Sequence, residues 1–475
     1  LIYRLVDALY RVKLWMQSLG TKNQRDLCAF QRQLLTHGSL GGVDMSWQQM
    51  SLPQWLQHIE QCSPHVMDFG LSRMQDMLAR LAITPEKLGY VITVAGTNGK
   101  GSTVALLEAC LSAAGVRVGA YTSPHLCSVT ERIRLQQQDI HENQLINALQ
   151  VVEAQRQQLP LTYFEFMTLA ALWQFQQAQL HVVILEVGLG GRLDAVNVID
   201  ADLAIITSIG LDHQAYLGNT LADIAIEKCG VLRADQPAVY GGDQVIDVIA
   251  KQAQQIGARL CTRPAFGAHK KSTDQWDWQG QDSSGQPLFW QGLPLPSILL
   301  DNAACTLQAM QLLPDHWRPN RTDIARGLSQ VKVMGRLQWL SNNMSHNILL
   351  DVAHNPAAIA KVIDYLAELD VSRFNRVIAV FGVMADKDWP TMLDQLGHVV
   401  NAWMPVQLPD ARALPRELLV DELRRKGCAI LSTSIEVEHL VTSVCSLAQA
   451  DDLILVLGSF AVVGPFLQQF DFAKV

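Results

Sequence analysis

No two of the nine cysteines stand in a CxxC pair, and their scatter lacks the spacing of a metal site or a disulfide framework. Reduced thiols in a cytoplasmic protein are the expectation. Absent too is any uninterrupted apolar run of the length a membrane span requires. A basic field is missing: net charge is −8 over 475 residues, which argues against general affinity for nucleic acid. Local arginines and lysines can still hold a small anionic substrate. No internal repeat, long charge block or low-complexity tract is present, although the early segments are rich in glutamine. What remains is the composition of an ordinary globular protein, 49% apolar and 17% charged. The chain is long enough for two or three domains with full cores.

Residues 90–103 organise the rest. Tyr90-Val91-Ile92-Thr93-Val94-Ala95 predicts a strand, Gly96-Thr97-Asn98-Gly99-Lys100-Gly101-Ser102 a glycine-rich turn, and Val104, Leu107 and Leu111 a helix that stops at Gly115. The glycines permit positive φ and close backbone approach, so successive N–H groups can surround a polyphosphate. The helix points its positive end at the same anion, and Lys100 adds a mobile cation. The spacing is not that of the standard P-loop, because Gly96 and Gly99 are three apart.

Downstream, apolar strands alternate with helical segments. Strands are expected at Val116–Tyr121, His181–Val187 and Ala201–Ser208, with helices at Leu145–Gln157 and Glu165–Gln177. That alternation predicts an α/β fold with a parallel sheet and helices on both faces. Ligands of such sheets bind beyond the carboxyl ends of the strands. The glycine turn, Ser123, Glu186 and His213 all lie at or just after predicted strand ends, so they are expected to converge. A carboxylate such as Glu186 that ends an apolar strand near a P-loop suits a Mg²⁺ ligand.

Five segments together resemble a known family: Gly96–Ser102, Ser123-Pro124-His125-Leu126, Leu211-Asp212-His213, Glu227-Lys228 and Asp351-Val352-Ala353-His354-Asn355-Pro356. They are similar, in order, to the motifs of bacterial folylpolyglutamate synthases, which often also act as dihydrofolate synthases. That family sits within the Mur-ligase-like ATP-dependent amide ligases. The resemblance covers about residues 50–470. It implies ligation of L-glutamate to dihydropteroate, forming dihydrofolate, and to tetrahydrofolate, forming γ-polyglutamates, through an acyl phosphate. ATP and Mg²⁺ are the implied cofactors, with two ions and room for a monovalent cation. A monomer without nucleic-acid or membrane partners is implied as well.

Residue by residue, the resemblance implies that Thr97, Asn98, Gly99, Lys100, Gly101 and Ser102 hold ATP, completed by Asn302, Arg336 and Asp351. Ser123, Glu186 and His213 would ligate Mg²⁺. Lys100, His213 and Lys228 would form the catalytic set, Lys228 matching a lysine that is carbamylated in the family. Met67-Asp68-Phe69, then Thr162, Phe164 and Glu165, then Leu193, Asp194 and Ala195 match pterin segments, and Phe164 is the candidate stacking ring. The chain departs from the family at Gln214-Ala215-Tyr216 and at Cys229, where a smaller alanine is common; neither removes a proposed ligand.

The second half predicts a separate lobe. A loop-and-hairpin excursion around Trp276, Trp278 and Trp290 precedes a helix at Asn302–Leu313. Strands follow at Ile348–Val352, Val377–Phe381, Trp403–Gln407 and Leu453–Leu457. The expected plan is a P-loop ATPase domain with the pterin site over 45–334, a hinge at 335–345, and a smaller Rossmann-like glutamate-ligase domain over 346–475. Asp386-Lys387-Asp388 and Gly458-Ser459-Phe460 follow strands of this lobe and are candidates to meet the incoming amino acid. Two rivals are weaker. A cell-wall Mur ligase would carry a nucleotide-sugar domain before its P-loop, whereas the residues preceding Gly96 read as helical. A P-loop ATPase or switch would not need Asn302, Arg336 and Asp351.

Residues 1–44 match nothing and carry Arg4, Arg11, Lys13, Lys22, Arg25 and Arg32. They have neither the compact apolar segment nor the cleavage site of a signal peptide, and the expectation is a poorly ordered or non-native extension. A chain starting at Met45 should retain activity and solubility; loss of either in a direct comparison would overturn that expectation.

Overall fold

The computed structural model describes residues 46–63, 70–340, 346–433 and 436–472. Residues 1–44 and the candidate pterin segment Met67-Asp68-Phe69 lie outside them. Ser46–Gln49 forms a short 3-10 turn. From Ser51 onward the chain is one unit, in which three sheets can be described together.

The first lobe starts with helices α1 (Leu52–Cys62) and α2 (Ser72–Arg80). Then come β1 (Tyr90–Ala95), α3 (Lys100–Ala113), β2 (Val118–Tyr121), β3 (Ile133–Leu135) and β4 (Gln138–Asp139). Helices α4 (Glu142–Arg156) and α5 (Tyr163–Ala178) lead to β5 (Val182–Glu186) and β6 (Leu203–Ile206). The run ends with α6 (Gln214–Leu217), α7 (Leu221–Cys229), β7 (Pro237–Tyr240), α8 (Ile246–Ile256) and β8 (Arg259–Thr262). These eight strands form one sheet in the order β4-β3-β2-β5-β1-β6-β7-β8.

The sheet is parallel from β2 to β8, as the alternating pattern predicts, but β3 and β4 add an antiparallel edge. Their two-residue turn places Gln136 and Gln137 at φ 52 and 66. No Asn-Gly or Asp-Gly pair marks that turn in the sequence. From β1 the chain crosses to β2 on one side, while β6 and β7 lie on the other, so a switch point falls at β1. Register matters here: Val94 of β1 pairs with Glu186 of β5, and Ala95 with Ile206 of β6. The Glu186 carboxylate therefore ends up level with the start of the glycine turn.

The tryptophan-rich excursion is an antiparallel three-stranded sheet rather than a lone hairpin: β9 (Gly267–Lys270), β10 (Gln275–Gln281) and β11 (Pro287–Pro294). Trp276 and Trp278 are fully buried, and each indole N–H finds a carbonyl, Pro294 O at 2.9 Å and Ala304 O at 3.2 Å. They join one core with α3, α9 (Leu300–Gln311), α10 (Arg321–Gln330) and one face of the large sheet. This excursion thus braces the helix that follows the glycine turn.

The second lobe contains β12 (Gln338–Leu340), β13 (Asn347–Leu350), α11 (Pro356–Glu368), β14 (Val377–Phe381), α12 (Trp389–Leu396) and β15 (Ala402–Pro405). It continues with α13 (Arg416–Arg425), β16 (Ala429–Ile430), α14 (Leu440–Leu447), β17 (Leu453–Leu457) and α15 (Phe460–Phe472). Strand order is β12-β13-β17-β14-β15-β16, parallel except at β12. Residues 338–340 of the expected hinge are therefore sheet edge. Alternate residues of its strands enter two cores. Leu349, Ala379 and Leu455 meet α11–α13, while Ile348, Val380 and Ile454 meet α14 and α15. Burial on both faces is why these strands read as unbroken apolar runs. No helix of the described residues is long and apolar enough to cross a membrane.

Candidate active site

Between β1 and α3 the turn Gly96-Thr97-Asn98-Gly99 holds φ 142 at Gly96 and φ 88 at Gly99. A side chain would strain that backbone, and space forbids one as well. A Cβ at Gly99 would lie 2.9 Å from Asn302 Cγ, and one at Gly96 3.0 Å from the Thr207 nitrogen. The turn is clamped to the loop after β6. Thr97 N–H donates to Ser208 O at 2.8 Å, and Asn98 N–H to Ser208 Oγ at 3.0 Å. In return, Gly210 N–H donates to Thr97 Oγ1 at 3.0 Å and Thr207 Oγ1 to Asn98 O at 2.7 Å. Lys100 Nζ donates to the Gly96 and Thr97 carbonyls at 3.1 and 3.2 Å, which keeps the ammonium over the turn.

A cavity of about 100 Å³ opens there, lined by Lys100, Ser123, Glu186, His213, Lys228 and Arg336 among others. The four elements expected to converge at the strand ends do so. Glu186 is buried, with Ser123 N–H donating to its Oε2 at 3.1 Å. Burial raises its pKa against the pull of Lys100, while burial lowers that of Lys100 against the pull of Glu186. Lys228 is pushed down to about 7, by burial first and then by the charge of Lys100. It reaches the site because Gly191 lets the loop after β5 lie against α7; a Cβ there would be 3.0 Å from Lys228 Cα. A buried Lys228 whose charge is disfavoured by the half-buried Lys100 suits a site whose ligand is an anion.

His213 keeps 40% of its side chain exposed, but partial desolvation pushes it down to about 4 despite the neighbouring Asp212, so its imidazole is neutral at neutral pH, the ligating form. Among the described residues no group of three or more His, Cys, Asp or Glu side chains could hold a metal alone. The donor set instead offers a carboxylate and a hydroxyl beside a phosphate cradle, which fits Mg²⁺ held jointly with nucleotide oxygens.

The described pterin-segment residues lie around α5 and the loop after β5. Thr162 and Glu165 make a capping box for α5: Thr162 Oγ1 accepts Glu165 N–H at 3.2 Å, and Glu165 Oε2 accepts Thr162 N–H at 2.7 Å. Arg73 of α2, which carried no signal in the sequence, donates to the other Glu165 oxygen at 3.0 Å. Both residues thus hold the start of α5. Phe164 is half-buried, 5.9 Å from the Tyr121 ring, and a Cβ on Gly188 would lie 2.6 Å from its Cζ. Gly188 is itself a cavity wall, so the Phe164 ring backs the site. Asp194, between Leu193 and Ala195, accepts Leu189 and Val196 N–H groups at 2.8 and 3.1 Å, and burial lifts its carboxyl to about 6.

A second cavity of about 220 Å³ lies beside the turn, between the lobes. Asn302, Arg336 and Asp351 line it with Asn98, Gly99 and Ser102, over apolar Ile209, Ile298, Leu337 and Val362. Buried Asp351 accepts Leu337 and Ala353 N–H groups at 2.8 Å each. Arg336 lines both cavities, sits 5.4 Å over the Phe460 ring, and makes no ion pair among the described residues. Asp212, unassigned from the sequence, is a hub: burial would raise its carboxyl, yet the His354 hydrogen bond and the Lys387 charge hold it well below the usual range.

The Mur ligase middle-domain family model matches residues 94–290, and the Mur ligase glutamate ligase domain model matches residues 335–460. An Escherichia coli dihydrofolate synthase/folylpolyglutamate synthase is 38% identical over 420 residues, spanning 88% of this chain and 96% of that relative. The chain belongs to the dihydrofolate synthase/folylpolyglutamate synthase family of Mur ligases. It is, by that membership, an ATP-dependent ligase. Among solved members, E. coli FolC in complex with DHPP and ADP superposes with a TM-score of 0.81 at 37% identity, covering 90% of this chain and 99% of that one. A bifunctional folylpolyglutamate synthase/dihydrofolate synthase with Mn, AMPPNP and L-glutamate bound gives a TM-score of 0.79 at 37% identity, covering 89% and 99%.

Gly99→Ala tests the turn directly. Forcing a Cβ into left-handed backbone costs about 1–2 kcal/mol, so nucleotide affinity should fall roughly tenfold or more, with the fold retained. Nucleotide titration alongside thermal melting checks this; unchanged affinity would remove the turn from the binding site.

Proposed function

We propose that this protein joins L-glutamate to dihydropteroate, giving dihydrofolate, and to tetrahydrofolate, giving γ-polyglutamates, with ATP and Mg²⁺. The observation that carries the reading is the convergence of Lys100, Ser123, Glu186, His213 and Lys228 on one cavity. That cavity shares Asn98, Gly99 and Arg336 with the cavity of about 220 Å³ between the lobes. The relatives with an adenine nucleotide, Mn or L-glutamate bound support the same ligand set.

In this scheme adenosine occupies the larger cavity, against Ile298 and Val362, with Asn302 and Asp351 as polar partners. The turn and the start of α3 hold the phosphates, and Lys100 and Arg336 offset their charge. Ser123, Glu186 and His213 would hold Mg²⁺ together with the nucleotide, and the ion would supply charge neutralisation at the transferring group. The acceptor carboxylate oxygen attacks the γ-phosphorus and ADP leaves. The glutamate amine then attacks the resulting acyl phosphate; the C–N bond forms, the C–O bond to phosphate breaks, and the amine proton passes to solvent. No side chain serves as a covalent nucleophile. Phe164 and Asp194 hold the pterin, and Asp386-Lys387-Asp388 and Gly458-Ser459-Phe460 are the candidates to meet the incoming glutamate. In this reading the protein acts on small molecules as a monomer in the cytoplasm, a compartment whose reducing poise fits the eight free cysteines of the described residues.

Phosphate release from Mg-ATP and glutamate is the decisive assay, with dihydropteroate and then tetrahydrofolate as acceptor. Release with both, with a product larger by one glutamate, supports the bifunctional reading; release with one restricts it. Hydrolysis independent of acceptor, with no amide, overturns it. Lys228 adds a pH-dependent expectation. Only a neutral amine adds CO₂, forming an N–C bond and releasing a proton, so carbamylation should grow as pH rises through about 7. Added bicarbonate should therefore raise turnover more on the acid side of that value, where the neutral fraction is limiting. Bicarbonate-independent rates across that range in CO₂-depleted buffer would refute the modification.

A further inference from the structure

Asn355 caps α11, and its amide has every polar valence filled across the two lobes. Oδ1 accepts Ala358 N–H at 2.9 Å and Asn98 Nδ2 at 3.0 Å; Nδ2 donates to Asn98 Oδ1 and Asp212 Oδ2, each at 3.0 Å. The residue is 2% exposed. Asp212 in turn accepts Lys387 Nζ at 2.6 Å and faces His354 Nε2 at 3.5 Å. Both partners of the Asp212–Lys387 pair are buried, with 8% side-chain exposure each. Asn98 belongs to the glycine turn and Asp212 precedes His213, while His354, Asn355 and Lys387 come from the second lobe. A polar ring therefore joins the lobes at the phosphate end of the site.

The other ion pairs that link α11 to the first lobe are of a different kind. Lys361 lies 3.6 Å from Asp301, and Glu368 pairs with Lys270, but all four side chains are 44–62% exposed. Solvent and salt screen such pairs. The ring is shielded and geometrically exacting, because an amide pair forms two hydrogen bonds only in one relative placement.

We propose that Asn355 is a positioning residue that ties the phosphate-binding turn to the second lobe, so that the acyl phosphate, once formed, is kept from water and meets the glutamate amine only with the lobes in register. Asn355 does not touch the substrate; it acts through Asn98 and Asp212. An acyl phosphate exposed to water is hydrolysed, so loss of register appears as ATP consumed without amide formed. The inference rests on the ligase reading, and native protein is assayed first: failure of the native chain to form amide speaks against that reading, not against the ring.

Asn355→Asp and Asn355→Ser both keep a good helix cap, but each loses the donors to Asn98 and Asp212. Amide turnover should fall roughly 10- to 100-fold, the cost of small misplacements at a reacting centre. KM for ATP should move little, and phosphate released per amide formed should rise clearly above the native ratio. Lys387→Met, in the other arm of the ring, should raise that ratio too. A native phosphate-to-amide ratio in either Asn355 variant, even with a lowered melting temperature, would make the residue merely structural and overturn the proposal. A raised KM for ATP with unchanged kcat would overturn it as well, by making Asn355 a nucleotide ligand.

Discussion

The site depends on one clamp: the glycine turn after β1 is hydrogen-bonded along its length to residues 207–210 after β6. Neither strand alone could fix the turn, since a free glycine-rich loop has the most backbone entropy to lose. Pairing β1 with β6 and β5 brings Ser208 beneath Asn98 and Glu186 level with Val94, just before the turn. The packing of α9 closes the arrangement from the side, with the Asn302 amide against Gly99. Preorganised N–H groups and a buried lysine then await charge without reorganising, which is where electrostatic catalysis has most effect.

Charges around that clamp are arranged at a cost that the fold alone does not justify. Lys228, Glu186 and Asp194 are buried and Lys100 is half-buried, and desolvation is the largest influence on each pKa. Such groups ordinarily lower stability unless paired. A polyphosphate with its cation supplies the missing counter-charges, so the polarity of the site reads as built for that ligand. Arg336 belongs to the same logic. It comes from the segment that joins the lobes and lines both cavities.

Sequence reading recovered most strands because their apolar runs are short, β-branched and bounded by glycine or polar residues, as at Val182–Glu186 and Leu453–Leu457. It missed the β3–β4 edge, where a Gln-Gln turn adopts positive φ without glycine or asparagine to announce it. The three-stranded sheet around Trp276 was legible only as an excursion, since its stability comes from α9 and α10 rather than from local pattern. Thr162 and Glu165 show the opposite limit: their family match is to substrate, while their visible bonds cap α5 and engage Arg73, a partner 92 residues away.

By itself the sequence determined the α/β alternation, the glycine turn, the strand-end positions of Ser123, Glu186 and His213, and a family resemblance carried by five ordered segments. These are local properties, written in periodicity, residue type and spacing. Tertiary structure alone decided which distant side chains meet. Lys228 shares a cavity with Lys100 because Gly191 and Gly230 allow α7 to approach the loop after β5. Asp212 becomes a shared acceptor only when His354, Asn355 and Lys387 arrive from the second lobe. Contacts between residues more than a hundred positions apart depend on sheet order and helix packing, which no local pattern encodes.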